Sequence, residues 1–497
     1  MSESHRLRRG EGYEVCDDER RCPAVLFSSA EFLFIFLPVV LVGYYIFFRG
    51  MRQAQNILLL LCSLFFYAWG NPRFLPVMLL SIAMNYGFGR WVHEWKKQEK
   101  GLKKPIIAAV SANLSILYIF KYLVFTVESV NALGLGIPVP GIDLPIGISF
   151  FTFQALSYVL DVASGRSQVQ RSILDLGLYI SFFPQLIAGP IVKYETVAEQ
   201  IQGRVETWAD FSSGCSRFLI GLGKKVLLAN QLAVVADRVF NTSPDALSTS
   251  LAWLGSLCYT LQIYYDFSGY SDMAIGLGRM FGFHFLENFD YPYAACSITQ
   301  FWRKWHISLS TWFRDYLYIP LGGNRVEYRD QLRNLFVVWL LTGIWHGANW
   351  TFIAWGLLYA LLLCLERYGH LGKGWPTPLR WAYTFLMVDL LWVIFRSDSL
   401  GYAGGFLLTM LGFSGTGNTD FLTSLYLHEN SLILALAVLF AFPFAPWLRK
   451  KLEDIQSKRD LSLLWDLPYA LALTAIGLAS VCFLVKGTYN PFIYFRF

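Results

Sequence analysis

An all-α polytopic membrane protein, with about 11–12 transmembrane helices plus re-entrant or interfacial segments, is the fold class this sequence predicts. Two observations lead there. Of its 497 residues, 55% are hydrophobic and only 15% charged, against about 25% charged in soluble domains. Apolar runs near the ~20 residues that cross a bilayer recur from Phe32 almost to the C-terminus.

The candidate spans are residues 32–48, 54–69, 73–92, 105–126, 172–192, 215–236, 247–265, 332–346, 349–366, 380–396, 432–447 and 468–486. Segments 146–163 and 268–314 are apolar or amphipathic but interrupted by Gly, Pro and charge, so they read as re-entrant or interfacial. Such elements survive only against protein or a water-filled cavity. The first run, Phe32 to Phe48, lacks a small-residue cleavage site and should remain as a span. No CxxC occurs, and Cys62, Cys258, Cys296, Cys364 and Cys482 lie singly in or beside apolar stretches, where a free Cys behaves as a small hydrophobe.

The net charge of +6 would hint at nucleic acid in a soluble protein. Here the basic residues fall in short loops, which membrane topology explains without a nucleic-acid partner. Arg49 and Arg52 follow the first span, and Arg90, Lys96, Lys97, Lys100, Lys103 and Lys104 follow the third, whereas 127–145 contains no Lys or Arg. The first two loops should be cytoplasmic and the third outside, which places the N-terminus outside. Arg449, Lys450, Lys451, Lys458 and Arg459 mark another cytoplasmic loop by the same rule. Residues 1–24 carry five arginines on a side that should be poor in them, so they read as a disordered extension or a mis-assigned start. Residues 25–497 then form a single transmembrane domain.

Chemistry concentrates in FWRKWHISLSTWFRDYLYIPLGGNR at 301–325, with YYDFSGYSDMAIGLG at 264–278 and TGIWHGANW at 342–350. Read as one helix, 301–314 places Phe301, Trp305, Ser308 and Trp312 on one face and Trp302, His306, Leu309 and Phe313 on another. An aromatic surface with Arg303, Lys304 and Arg314 suits a helix at the cytoplasmic interface. His346 lies between apolar runs, where a polar ring is costly and marks a functional candidate, and its flanking glycines would let a substrate approach. A packing histidine satisfied by hydrogen bonds is the plainer reading. His306 among tryptophans would equally anchor at the headgroups. Asp266 and Asp272 read first as structural hydrogen-bonding groups. Seven histidines with no HExxH and no local Cys/His cluster argue against a metal centre.

With LPIGISFFTFQALSYVLDV at 144–162, FFPQLIAGPIVKY at 182–194, ENFDYPY at 287–293 and the terminal PFIYFRF, these motifs resemble the alginate O-acetyltransferase (AlgI-type) branch of the membrane-bound O-acyltransferase superfamily. The resemblance runs from Leu26 to Phe497. Departures are Lys304 in place of the branch's common Arg, Ala163-Ser164 in place of Tyr-Arg, and the N-terminal extension. It implies that His346 is the superfamily's intramembrane catalytic histidine and His306 the second histidine of the branch. A mostly neutral imidazole can take a proton from an attacking hydroxyl and return it to a departing thiolate.

The implied reaction moves an acetyl group from cytosolic acetyl-CoA to an extracellular or periplasmic polysaccharide such as alginate, from the bacterial inner membrane. Acetyl-CoA is then a substrate, with no tightly bound cofactor. The partners implied are an extracytoplasmic acetyltransferase protein, the polysaccharide acceptor and the lipid bilayer. Arg303, Lys304, Arg314 and Arg325 would suit the phosphates of coenzyme A, although a positive-inside bias accounts for them without a ligand. Alternatives are a D-alanyl transferase acting on teichoic acid, which shares the two-histidine pattern, or a transporter or scaffold of a polysaccharide export complex. The YIPLGGNR run at 318–325 favours the alginate-like branch.

The charge pattern makes one expectation measurable: in intact cells an impermeant thiol reagent should label a single cysteine placed at 135 and spare one at 100. The opposite labelling would invert the topology.

Overall fold

The computed structural model describes residues 27–456, 463–487 and 489–491, and the regular elements among them are helices. Six helices are long and apolar enough to cross a membrane: Lys103–Asn131, Trp208–Phe240, Trp350–Arg367, Thr377–Arg396, Phe421–Ala441 and Asp466–Lys486. Shorter apolar helices, Phe32–Phe47, Ile148–Ser164 and Leu400–Met410, accompany them. The extension at 1–24 lies outside the described residues.

At the centre runs Thr249–Met280, a 32-residue helix buried along nearly its whole length. Ser248 caps its start by accepting a hydrogen bond from the Leu251 N–H at 3.1 Å. Its end is a Schellman turn. Gly282 takes a positive φ of 78°, the Gly282 N–H donates to Arg279 O at 3.0 Å, and the Phe283 N–H donates to Gly278 O at 2.8 Å. The chain leaves this turn as the segment that reaches Asn288.

The central helix is held against Trp208–Gly223 by reciprocal glycine contacts. A Cβ on Gly214 would lie 2.6 Å from the Gly276 carbonyl oxygen, and one on Gly276 equally close to Gly214 O. Gly221 and Gly269 repeat the arrangement at 2.6 and 2.8 Å. Without side chains at these crossings the two backbones meet directly, which is how membrane helices pack where the hydrophobic effect gives no advantage.

Three sequence expectations change here. Residues 268–280, read as part of a broken interfacial segment, continue the central helix. Gly269 and Gly276 face another backbone, and Asp272 is answered by Arg217 Nε and Lys224 Nζ, each at 2.7 Å. Asp266 likewise pairs with Lys225 at 2.5 Å, so both carboxylates are structural ion-pair partners. The expected span at 172–192 is also interrupted. Ile173–Ser181 ends at an extended Phe182, because Pro184 has no N–H to continue the ladder, and Phe183–Leu186 starts anew. Residues 148–162 of the segment read as broken form one helix buried inside the protein.

Replacing Gly221 or Gly269 by Leu should separate the two backbones and cost at least the ~1–3 kcal/mol typical of overpacking. The detergent-solubilised variants should melt earlier or lose folded yield. Gly87→Leu, at a helical glycine with nothing within 4 Å of its Cβ position, should melt like the unmodified protein.

Candidate active site

His346 is the last residue of the Tyr328–His346 helix. The chain then turns through an extended Gly347 and restarts at Trp350–Arg367, which Asn349 caps by accepting from the Thr351 N–H at 3.0 Å. The two helices meet closely: a Cβ on Gly343 would lie 2.4 Å from Phe352 O, and one on Gly356 2.4 Å from Trp339 O. The glycines flanking His346 were expected to admit substrate. Instead they admit the next helix, and a Cβ on Gly347 would strike the Phe352 ring at 2.1 Å. The imidazole sits with ring centroids 5.0 Å from Trp345, 5.0 Å from Trp355 and 5.3 Å from Phe395. Its Nε2 is buried and has no hydrogen-bond partner.

His306 is reached differently. The single helix expected over 301–314 is two short ones, Ile298–Lys304 and Ile307–Phe313. Between them Trp305 is extended and His306 is left-handed, with φ 44° and ψ 53°. The reason is strand-like pairing with the segment that follows the central helix. The Asp290 N–H donates to Lys304 O and the Ile307 N–H donates to Asn288 O, both at 3.0 Å. Nor does the element present an aromatic surface, since His306 is 0% exposed and Phe301, Trp305 and Trp312 are buried with it.

The Asn288 side chain sets the tautomer of His306. Its Oδ1 accepts from the Ser308 backbone N–H at 3.2 Å and from Ser308 Oγ at 2.8 Å. The same oxygen lies 3.2 Å from His306 Nδ1. Because a backbone N–H can only donate, this oxygen is an acceptor, so in its contact with Asn288 it is His306 Nδ1 that donates; Ser308 Oγ lies farther from the same nitrogen, at 3.4 Å. The Asn288 amide in turn donates to Ser271 Oγ of the central helix at 3.0 Å. That leaves the lone pair on His306 Nε2, an atom that is buried and unpartnered, as is His346 Nε2.

The fold brings these histidines together across 40 positions of sequence, with both rings against Trp345, His306 at a centroid distance of 6.0 Å and His346 at 5.0 Å. Trp345 packs on Phe153 at 5.5 Å, and Phe153 stacks on Trp312 at 3.8 Å. Two imidazole nitrogens without partners in an aromatic enclosure are expensive unless a substrate completes them. They can accept protons or hydrogen bonds from an acyl donor or acceptor.

The four basic candidates differ in their surroundings. Lys304 is paired with Asp290 at 2.8 Å and Arg314 with Asp315 at 2.7 Å, whereas the side chains of Arg303 and Arg325 are exposed. Lys193 bridges Glu195 and Asp315, both at 2.7 Å. Burial works against charge on Lys193 and Asp315, but their mutual hydrogen bond and neighbours outweigh it. Lys193 is held above the usual lysine range and Asp315 below the usual carboxylate range. Among the described residues no three His, Cys, Asp or Glu side chains group as a metal site.

Residues 65–370 match the membrane-bound O-acyltransferase family. The chain belongs to that family. It is accordingly a multi-pass membrane acyltransferase, and relatives of two activities fall close to it. It is 41% identical over 95% of its length to the whole of a probable alginate O-acetylase of Pseudomonas putida. It is also 39% identical over 79% of its length, and 80% of the relative's, to a peptidoglycan O-acetyltransferase of Helicobacter pylori. A teichoic acid D-alanyltransferase of Bacillus subtilis is 29% identical over 49% of this chain and 65% of its own.

Sequence reasoning did not single out Asn288, although it lies in the ENFDYPY run, nor Lys121 and Ser149. The signal for Lys121 was a lone ammonium inside the apolar run from Tyr118 to Phe125. The hydrogen-bond pattern makes the state of His306 observable: nitrogen NMR of ¹⁵N-histidine protein should show it with hydrogen on Nδ1. Asn288→Ala, which removes the oxygen that three donors share, should weaken that signature and cost about 1–3 kcal/mol of stability.

Proposed function

We propose that this acyltransferase transfers acetyl from cytosolic acetyl-CoA, across the bacterial inner membrane, to hydroxyls of an extracytoplasmic polysaccharide, with alginate as the first candidate. The observation that carries the reading is the pair of buried, unpartnered Nε2 atoms of His346 and His306 in one aromatic enclosure. His346 takes the proton from the acceptor hydroxyl while that oxygen attacks the thioester carbonyl. The C–S bond breaks, and the thiolate leaves with the proton. His306, its Nδ1–H held by Asn288, orients the thioester or acceptor from Nε2. Coenzyme A is too large and anionic to cross the bilayer, so only the acyl group needs to pass.

Two of the relatives, one named for alginate and one for peptidoglycan, support acetyl as the group, since they cover most of the chain. The teichoic acid relative covers about half. Arg303, Lys304, Arg314 and Arg325 remain the proposed contacts for the coenzyme A phosphates, Lys304 and Arg314 exchanging their present carboxylate partners for them. An extracytoplasmic acetyltransferase protein is the proposed carrier to the polymer.

The test is acetyl transfer from labelled acetyl-CoA by purified protein supplied with its partner and acceptor. His346→Ala should lower turnover by about 10²- to 10⁴-fold in a well-folded protein, and His306→Ala by less. Arg303→Ala with Lys304→Ala should raise the acetyl-CoA requirement in a salt-sensitive manner, as expected for screened charge contacts. Unchanged turnover in folded His346→Ala would overturn the assignment, and transfer of D-alanine in preference to acetyl would replace the substrate class.

A further inference from the structure

A helix leaves its last four carbonyls without intrahelical partners, and inside a membrane protein water does not supply them. The Tyr328–His346 helix ends among buried side chains, so every one of these groups needs an answer. Gly343 O accepts weakly from the Gly347 N–H at 3.4 Å. Ile344 O accepts from the Tyr122 hydroxyl at 2.8 Å. Trp345 O and His346 O accept from the Lys121 ammonium at 2.7 and 3.1 Å. Three of the four terminal carbonyls are thus held by two adjacent side chains of a different span.

The lysine is fully committed to this role. An ammonium has three donors, and the third reaches Ser149 Oγ at 3.1 Å, at the start of the buried Ile148–Ser164 helix. No carboxylate lies within ion-pair distance of Lys121 among the described residues, and its charge rests instead over the Trp345 ring at 5.9 Å. Lys121 also stands well inside Lys103–Asn131, roughly 15 Å from the Asn131 end at an α-helical rise, too deep for a surface anchor. A cation without a counter-ion at such a depth is costly, and here the negative end of a helix dipole and a set of carbonyls stabilise it.

Local backbone explains how neighbouring residues reach one helix end. Tyr118–Tyr122 is a π turn within the span, closed by the Leu123 N–H on Tyr118 O. Such turns admit one extra residue and redirect the side chains around them, and they recur at functional sites.

We propose that Lys121 and Tyr122 are positioning residues: together they clamp the final turn of the helix that ends in His346 and so fix where its imidazole stands. The inference rests on His346 being the base, since a clamp on an idle histidine would leave turnover untouched. Neither residue touches reacting atoms.

The test uses the full chain in proteoliposomes, with acetyl-CoA, partner and acceptor, and a melting curve for each variant. Lys121→Met removes the donors at similar length. Turnover should fall about ten- to a hundredfold, as expected for a catalytic group displaced by about an ångström, while KM for acetyl-CoA stays within about twofold. Lys121→Arg, which keeps donors for the same carbonyls, should recover much of the loss. Tyr122→Phe deletes a single hydroxyl and should lower turnover about two- to tenfold, in line with one hydrogen bond. It decides the matter if Lys121→Met does not fold. Wild-type turnover in Lys121→Met, or in Tyr122→Phe where the first is unfolded, alongside an inactive His346→Ala, overturns the clamp and leaves the catalytic reading standing. A loss confined to KM overturns it as well. Full turnover in His346→Ala is the separate outcome that removes the catalytic reading itself.

Discussion

The direct contact of two backbones at Gly214–Gly276 and Gly221–Gly269 constrains what surrounds it. It fixes the height and rotation of the central Thr249–Met280 helix against its neighbour. From that placement follows the Schellman turn at Gly282, and from the turn the path of 283–290. That path brings Asn288 to Ser271 on one side and to His306 on the other. A side chain at any of the four glycines would be felt by an imidazole it never touches.

Polar groups inside this apolar chain follow two regimes. Carboxylates and cations of the central pair of helices neutralise one another, as Asp272 does with Arg217 and Lys224. Around the histidines the balance is struck with neutral groups. Asn288 collects three donors on one oxygen, and Lys121 spends its protons on a hydroxyl and two carbonyls. The outcome is an enclosure in which both imidazole Nε2 atoms lack partners, as do the indole N–H groups of Trp345 and Trp355 beside them.

The membrane class was legible because composition alone separates such a chain from soluble proteins; His346 stood out because a polar ring between apolar runs is costly, and His306 through the resemblance to the acyltransferase branch. What escaped notice depended on partners far away in sequence. Glycines and acids at 268–280 read as helix breakers until the facing helix supplies a backbone for the glycines and cations for Asp272. The helical period across 301–314 was real, yet pairing with Asp290 and Asn288 overrode it at one peptide. Lys121 gave no sign of its role, because the carbonyls it serves lie 224 and 225 positions downstream.

The left-handed backbone of His306 has a consequence for how this protein responds to selection for robustness. A residue with a Cβ in that conformation carries a cost of about 1–2 kcal/mol that glycine does not bear. Thermostability screens would therefore be drawn to glycine at 306, and they would reward a protein that folds better while losing the ring facing Trp345. At this position hardiness and chemistry are competing traits, and the chain keeps the less comfortable residue.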